Sequence, residues 1–96
     1  MKGIRFYLEY PNRTEKNKGT RKNPGKHSGN VLAVFEDGFW GSNGWSYEAL
    51  GAVNYYEDSS VGSTSVSPDY IREKCKRISE RLAREIHPQL FAVLDS

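Results

Sequence analysis

The feature that most constrains the fold is an amphipathic stretch that covers residues 67–87. Its apolar residues recur at steps of four, three, four and four, which is the spacing of one stripe along a helix. They are Ile71, Cys75, Ile78, Leu82 and Ile86. Ser67 can cap the first turn, and Pro68 suits the first helical position. Because Pro88 disfavours helical geometry at the residue before it, the sequence predicts one amphipathic helix that ends near His87.

Two segments in the N-terminal half have the patterns of β-strands. Residues 4–10 alternate with a period of two, which predicts a half-buried strand. Residues 31–35 form a continuous apolar run, which is typical of a central strand covered on both faces. We expect these two strands to pair antiparallel, with the residues between them at the tip of the hairpin.

The middle of the chain is less regular. Residues 36–38 (Glu-Asp-Gly) have turn chemistry, and the aromatic, glycine-rich residues 39–45 are predicted to form a loop. Residues 46–56 are compatible with either a helix or a strand. Ala49, Leu50 and Val53 have helical spacing, whereas the interior glycine and the tyrosines favour a strand, which is our prediction.

The predicted fold class is α+β. The serine-rich residues 57–67 are interpreted as a linker, and residues 89–94 are apolar enough for a last short strand. With the helix, these elements give a small single domain over residues 1–96. In it, one amphipathic helix packs on an antiparallel sheet in the order β-β-β-α-β.

The net charge of +2 conceals an uneven distribution along the chain. Residues 11–27 carry six cations against one carboxylate, a net charge of +5. Residues 28–67 carry five carboxylates and neither Lys nor Arg, and residues 68–87 carry six cations against four carboxylates. Such banding bears on partners and association rates rather than on the fold.

The basic segment, residues 12–30, is a long polar insert without apolar residues, so it cannot bury itself. Loops of this length in a small domain are usually functional or disordered. The insert is not a nucleotide-binding P-loop, because five residues separate Gly19 from Gly25 where four are required. In addition, His27 follows Lys26 where the motif needs Ser or Thr. Two interpretations remain open: a phosphate-contacting loop and a solvated hairpin tip.

The favoured functional hypothesis is contact with nucleic acid, or with a nucleic-acid-bound assembly, through phosphates. The candidate residues on the basic segment are Arg13, Lys16, Lys18, Arg21, Lys22 and Lys26. On the predicted helix they are Lys74, Arg77, Arg81 and Arg84, along one flank. That helix also predicts ion pairs four residues apart, Glu73 with Arg77 and Glu80 with Arg84, typical of a solvated face.

The alternative function is a protein-binding inhibitor or adaptor that uses the aromatic, acidic segment 38–67. Its candidate contact residues are Phe39, Trp40, Trp45, Tyr47, Tyr55 and Tyr56. Aromatic side chains interleaved with Gly, Ser and Asn are the composition of many protein-contact loops, and the acidic charge suits a basic partner. The competing interpretation is that the tryptophans belong to the core.

No pattern in the sequence predicts an enzyme, a catalytic residue, a metal site or a cofactor. Cys75 lies within the apolar stripe, so we expect a buried thiol and not a nucleophile. The two histidines and one cysteine lack metal-ligand spacing. One cysteine and the absence of a signal or membrane-spanning pattern predict a cytoplasmic protein without a membrane partner, and leave the oligomeric state open.

Overall fold

The fold is a five-stranded antiparallel sheet with helices on both faces. A computed structural model describes the backbone of residues 3–20, 22–40, 46–55 and 58–95, and the side chains of residues 3–20, 22–35, 61–62 and 65–95. The strands are β1 (Ile4–Glu9), β2 (Val31–Trp40), β3 (Ser46–Tyr55), β4 (Asp58–Val66) and β5 (Cys75–Ile78). The helices are α1 (Arg13–Lys18), α2 (Pro68–Lys74), α3 (Glu80–Ile86) and α4 (Pro88–Leu94). The predicted α+β class is confirmed.

The sheet has the order β4-β3-β2-β1-β5, with all neighbouring strands antiparallel. The first four strands therefore follow one another along the sheet, and α2 crosses from β4 at one edge to β5 at the other. The predicted pairing of the first two strands is confirmed, with Ile4 opposite Phe35 and Leu8 opposite Val31. The strand prediction for residues 46–56 is also confirmed, since β3 covers Ser46–Tyr55.

The core occupies both faces of the sheet. On one face, alternate residues of β1 and β2 pack against α3 and α4. Buried in that cluster are Phe6, Leu8, Tyr10, Val31, Ala33, Ala83, Leu90 and Phe91. On the other face, Leu32 and Val34 cluster with Val66 and Cys75, beneath Ile71 of α2. Because its side chains alternate between the two clusters, β2 is covered on both faces, as its apolar run predicts.

The single helix predicted over residues 67–87 is wrong, because the chain leaves the helix after Lys74 and forms β5. The predicted start is correct, since Ser67 Oγ accepts a hydrogen bond from Tyr70 N at 3.1 Å. A second cap follows at Ser79, whose Oγ accepts from Leu82 N at 3.1 Å to begin α3. The strand pairs with the side of β1 that β2 does not occupy. Without β5, backbone N–H and C=O groups on that side of β1 would lack partners, and the free-energy cost of leaving them unpaired outweighs the helical preference of the sequence.

Because strand β5 interrupts the predicted helix, the residues of the predicted apolar stripe lie on both faces of the sheet. Cys75 belongs to the cluster beneath α2, whereas Ile78 packs against the cluster beneath α3 and α4. In a helix these two residues, three apart, would share a face. In a strand they lie on opposite faces.

The other corrections concern the middle and the C-terminal end. Residues 89–94 form helix α4 and not a strand, with Pro88 at its first position and Leu90 and Phe91 buried. Residues 58–66 form β4 and not a linker, since β4 pairs with β3 from Tyr47–Val66 to Tyr55–Asp58. Residues 36–38 lie within β2, where the register shifts between Val34 and Phe39. The chain therefore runs through this predicted turn with an irregularity of the kind a β-bulge makes.

No helix in the described part of the chain is long and apolar enough to cross a membrane.

Candidate anion-binding groove

The basic segment, residues 12–30, joins β1 to β2 and has a defined backbone structure of its own. Asn12 caps α1, because its Oδ1 accepts a hydrogen bond from Glu15 N at 2.9 Å. A turn follows in which Thr20 N donates to Asn23 O at 2.7 Å and Asn23 N donates to Thr20 Oγ1 at 3.0 Å. The segment is thus more structured than the loop that its composition predicts.

Contacts with the body of the domain hold the basic segment against β5 and α2. The Tyr10 hydroxyl donates to Pro24 O at 2.7 Å. Lys76 of β5 donates to the carbonyl oxygens of Lys16, at 3.2 Å, and of Gly19. Lys16 in turn donates to the carbonyl of Arg72 at the end of α2. Lys16 within the segment and Lys76 on β5 therefore hold the segment in place, and Lys16 is not a free candidate for a phosphate contact.

A second anchor lies at the far end of the segment, around Glu9. Its carboxylate accepts hydrogen bonds from Asn30 Nδ2 at 2.7 Å and from the Tyr70 hydroxyl. Ser28 N donates to Glu9 O at 2.9 Å. Burial, together with the hydrogen bond and charge of Glu9, raises the pKa of Tyr70 above its ordinary value. This cluster ties the end of the basic segment to β1 and α2.

Ion pairing divides the ten cations predicted to contact nucleic acid. Arg13 pairs with Glu73 (3.6 Å) and Lys18 with Glu15 (3.5 Å), while Arg81 pairs with Glu85 (3.7 Å) and Arg84 with Glu80 and Asp95 (3.4 and 3.2 Å). Arg21 lies outside the described residues. The remaining five have no ion pair within the described part of the chain. Lys16 donates to a backbone carbonyl, as described above, and the other four are Lys22, Lys26, Lys74 and Arg77. The predicted Glu80–Arg84 pair is confirmed.

The predicted Glu73–Arg77 pair is wrong, because Arg77 lies on β5 while Glu73 lies on α2 and pairs with Arg13. The predicted flank of four helical cations is wrong for the same reason. Lys74 ends α2, Arg77 is on β5, and Arg81 and Arg84 are on α3.

Part of this cation set meets at an open groove beside β5. The groove has a volume of about 780 Å³ and is lined by the start of β1, by Thr20 and Lys22, by the end of β5 and by the first turns of α3. Its cations are Arg5, Lys22, Lys76, Arg77 and Arg81, and its carboxylates are Glu80 and Glu85. Apolar side chains of Ile4, Phe6, Ile78 and Leu82 also line it. The structure thus places Lys22 in one groove with Arg77 and Arg81, which come more than fifty residues later in the chain.

Arg5 and Lys76 are groove residues that the sequence does not single out. Both lie on strands, where a charged residue alternating with apolar ones ordinarily means only a solvated position. The signal that could have found them is the pairing of β5 with β1, and this pairing is not visible from helical spacing.

The aromatic segment, residues 38–67, lies largely on β2, β3 and β4. Phe39 and Trp40 lie on β2 and Tyr47 and Tyr55 on β3, so the loop prediction is wrong for the first two. The side chains of these four residues, and Trp45 and Tyr56 entirely, lie outside the described part of the structure. Protein binding by this segment stays a prediction.

Cys75 is buried, as predicted, with 2% of its surface exposed. Burial, with a smaller contribution from the Glu9 carboxylate, raises the pKa of its thiol to about 12. A thiol in this environment is a poor nucleophile, because the thiolate is the reactive form. The sequence-based interpretation of Cys75 as a core residue is confirmed, although the residue lies on a strand and not on a helix.

We expect Cys75 to resist thiol reagents in the native protein at pH 8 and to react fully in denaturant. Rapid labelling of the native protein would contradict the burial of this thiol.

A second consequence of this burial concerns protein stability at alkaline pH. The unfolded thiol ionises near 9 and the folded one near 12, so stability from this group is complete below about pH 9 and is lost as the pH rises to 12. Urea unfolding at pH 8 and pH 10 measures this loss. The decrease in the free energy of unfolding between these two pH values should be smaller in Cys75→Val, which lacks the thiol.

His87 ends α3, as the sequence predicts, but its side chain is buried, with 1% exposed. Its Nδ1 lies 3.2 Å from Gln89 Oε1, and its Nε2 has no hydrogen-bond partner in the described structure. The described residues contain no group of three or more His, Cys, Asp or Glu side chains that could hold a metal ion.

Comparison with known proteins adds no family to this description. No protein-family model, curated protein or solved structure shows significant similarity to the chain.

Proposed function

We propose that the protein is a non-enzymatic binding module that contacts the phosphate backbone of nucleic acid through the groove beside β5. The observation that supports this proposal is the convergence of Lys22 with Arg77 and Arg81, which come from three separate elements. Five cations against two carboxylates make the groove cationic. Phosphate contacts of this kind give affinity without reading base sequence.

The proposal revises which cations carry the interaction. Lys22 and Arg77 are the principal contacts, since both are exposed and neither has an ion pair in the described part of the chain. Arg81 can add a third contact, because a surface pair such as Arg81–Glu85 at 3.7 Å is weak enough to exchange for a phosphate. As part of the same proposal we place the protein in a reducing, cytoplasmic compartment, because its single cysteine cannot form an internal disulfide.

The test is fluorescence anisotropy with labelled single-stranded and duplex oligonucleotides at several salt concentrations. We expect the double substitution Lys22→Ala/Arg77→Ala to weaken binding about tenfold or more at low salt. Because each lost phosphate contact reduces the salt slope by about 0.7 for a single strand, the slope should fall by about 1.4.

The matched control is Arg13→Ala/Arg72→Ala, which removes the same charge. Both residues are exposed, are paired with carboxylates and lie outside the groove. Equal losses in the two double variants would mean that only net charge matters, and salt-independent binding would exclude phosphate contacts altogether.

A further inference from the structure

The outer edge of β5 offers backbone hydrogen-bonding groups to a ligand. Tyr10 N donates to Lys74 O at 2.8 Å, which sets the alternation of hydrogen bonds between β1 and β5. Tyr10–Lys74 is a hydrogen-bonded pair, so the residues paired as Leu8–Lys76 and Phe6–Ile78 are also bonded. The N–H and C=O of Arg77, which is opposite Tyr7, therefore point away from β1.

Cys75, two residues before Arg77 on β5, supports this orientation of the backbone. Cys75 is opposite Glu9, so its N–H should also point away from β1. It donates to the Ile71 carbonyl of α2, outside the sheet. No strand of the described sheet lies beyond β5, so the outward N–H and C=O of Arg77, which is itself a lining residue of the groove, have no strand partner in that sheet.

The side chains around this edge suit an extended acidic peptide. An added strand would place alternate side chains over the half-buried Ile4, Ile78 and Leu82, which line the groove. Carboxylates on the peptide would be attracted to Lys22 and Arg77. A second copy of β5 fits poorly, because Lys76 and Arg77 would bring like charges together across the pair.

We propose that β5 accepts an extended acidic peptide as an additional strand. The peptide backbone bonds to the N–H and C=O of Arg77, and its carboxylates contact the cations of the groove. This inference does not depend on nucleic-acid binding. If both hold, the two ligands compete, because they share Lys22 and Arg77.

The direct test is amide hydrogen exchange measured by NMR, with an acetylated octapeptide of alternating Val and Glu as the probe. Saturating peptide should slow exchange of the Arg77 amide at least tenfold. The amides of Lys76 and Ile78, already bonded to β1, should change little. Unchanged exchange at Arg77 would overturn the proposal, as would equal binding by the same peptide with alternate amides N-methylated, since that peptide keeps the charge but cannot form the ladder.

Two substitutions separate the backbone of Arg77 from its charge. Arg77→Thr removes the cation and keeps the N–H, whereas Arg77→Pro removes both and is compatible with an edge position whose N–H faces outward. We expect peptide affinity to fall at least tenfold further in Arg77→Pro than in Arg77→Thr, while nucleic-acid affinity falls equally in both. Equal peptide losses would overturn strand addition, and the exchange measurement decides the question if Arg77→Pro does not fold.

An oligonucleotide serves as the remaining comparison. If it displaces the peptide without protecting the Arg77 amide, the two ligands share charge contacts and only the peptide adds a strand. If the peptide does not bind and an oligonucleotide protects Arg77, the groove is a nucleic-acid site and the peptide proposal is wrong.

Discussion

Replacing Phe91 with alanine should lower the free energy of unfolding by about 3–5 kcal/mol. Phe91 lies on α4 with 3% of its surface exposed, and its ring centroid is 5.1 Å from that of Phe6 on β1. The Arg84 guanidinium lies 4.1 Å above the same ring, so truncation also removes a cation–π contact. This loss would be a large part of the total stability of a small domain.

Urea unfolding and thermal melting measure this effect, and the melting temperature should fall by more than about 10 °C. The control is Val93→Ala on the same helix, where the side chain is 46% exposed and the loss should stay within about 0.5 kcal/mol. Equal losses at the two positions would contradict the packing of α4 against β1.

Replacing Gly19 with alanine should cost about 2–4 kcal/mol and weaken ligand binding at the groove. A Cβ at this position would lie 2.6 Å from Pro24 O and 2.7 Å from the Tyr10 hydroxyl. Since the first atom is backbone and Tyr10 is buried, relief requires a shift of the segment and loss of the Tyr10–Pro24 hydrogen bond. Lys22 lies three residues further on, so its placement in the groove should change as well.

The control for Gly19 is Gly62→Ala on β4, where an added Cβ would meet no atom within 4 Å. Because alanine restricts the unfolded chain more than glycine does, we expect a neutral or slightly stabilising result. Thermal melting of both variants, with anisotropy at low salt, gives the comparison. A Gly19→Ala protein with wild-type stability and affinity would show that the close contact does not hold the basic segment in place.

The elements predicted correctly are those whose signal is local. Residues 4–10 alternate with a period of two, and residues 31–35 form a continuous apolar run. Each pattern reports the burial of its own segment, so β1 and β2 can be identified from the sequence of side chains alone. The caps at Ser67 and Pro68 act within one turn, and the start of α2 agrees with them. The predicted burial of Cys75 depended on the helical stripe, and it holds for a different reason, because Cys75 lies on the face of β5 that packs beneath α2.

The elements predicted wrongly depend on partners far along the chain. Residues 75–78 have helical spacing, but β1 is about seventy residues earlier and needs a second neighbour for its backbone groups. Residues 58–66 have few side chains that favour a strand, yet they pair with β3 along its length. For residues 89–94, Pro88 is compatible both with ending one helix and with starting the next, and tertiary packing of Leu90 and Phe91 selects the helix.

For the candidate site, the sequence by itself determined the excess of cations in residues 11–27 and their separation from the acidic segment. Only the tertiary structure decided which of them are available for a ligand. Arg13 is paired with a carboxylate sixty residues away, whereas Lys22 meets Arg77 in the groove beside β5. The physical reason is that charge is a property of composition, while ion pairing, burial and the open edge of a strand arise only when distant segments come together.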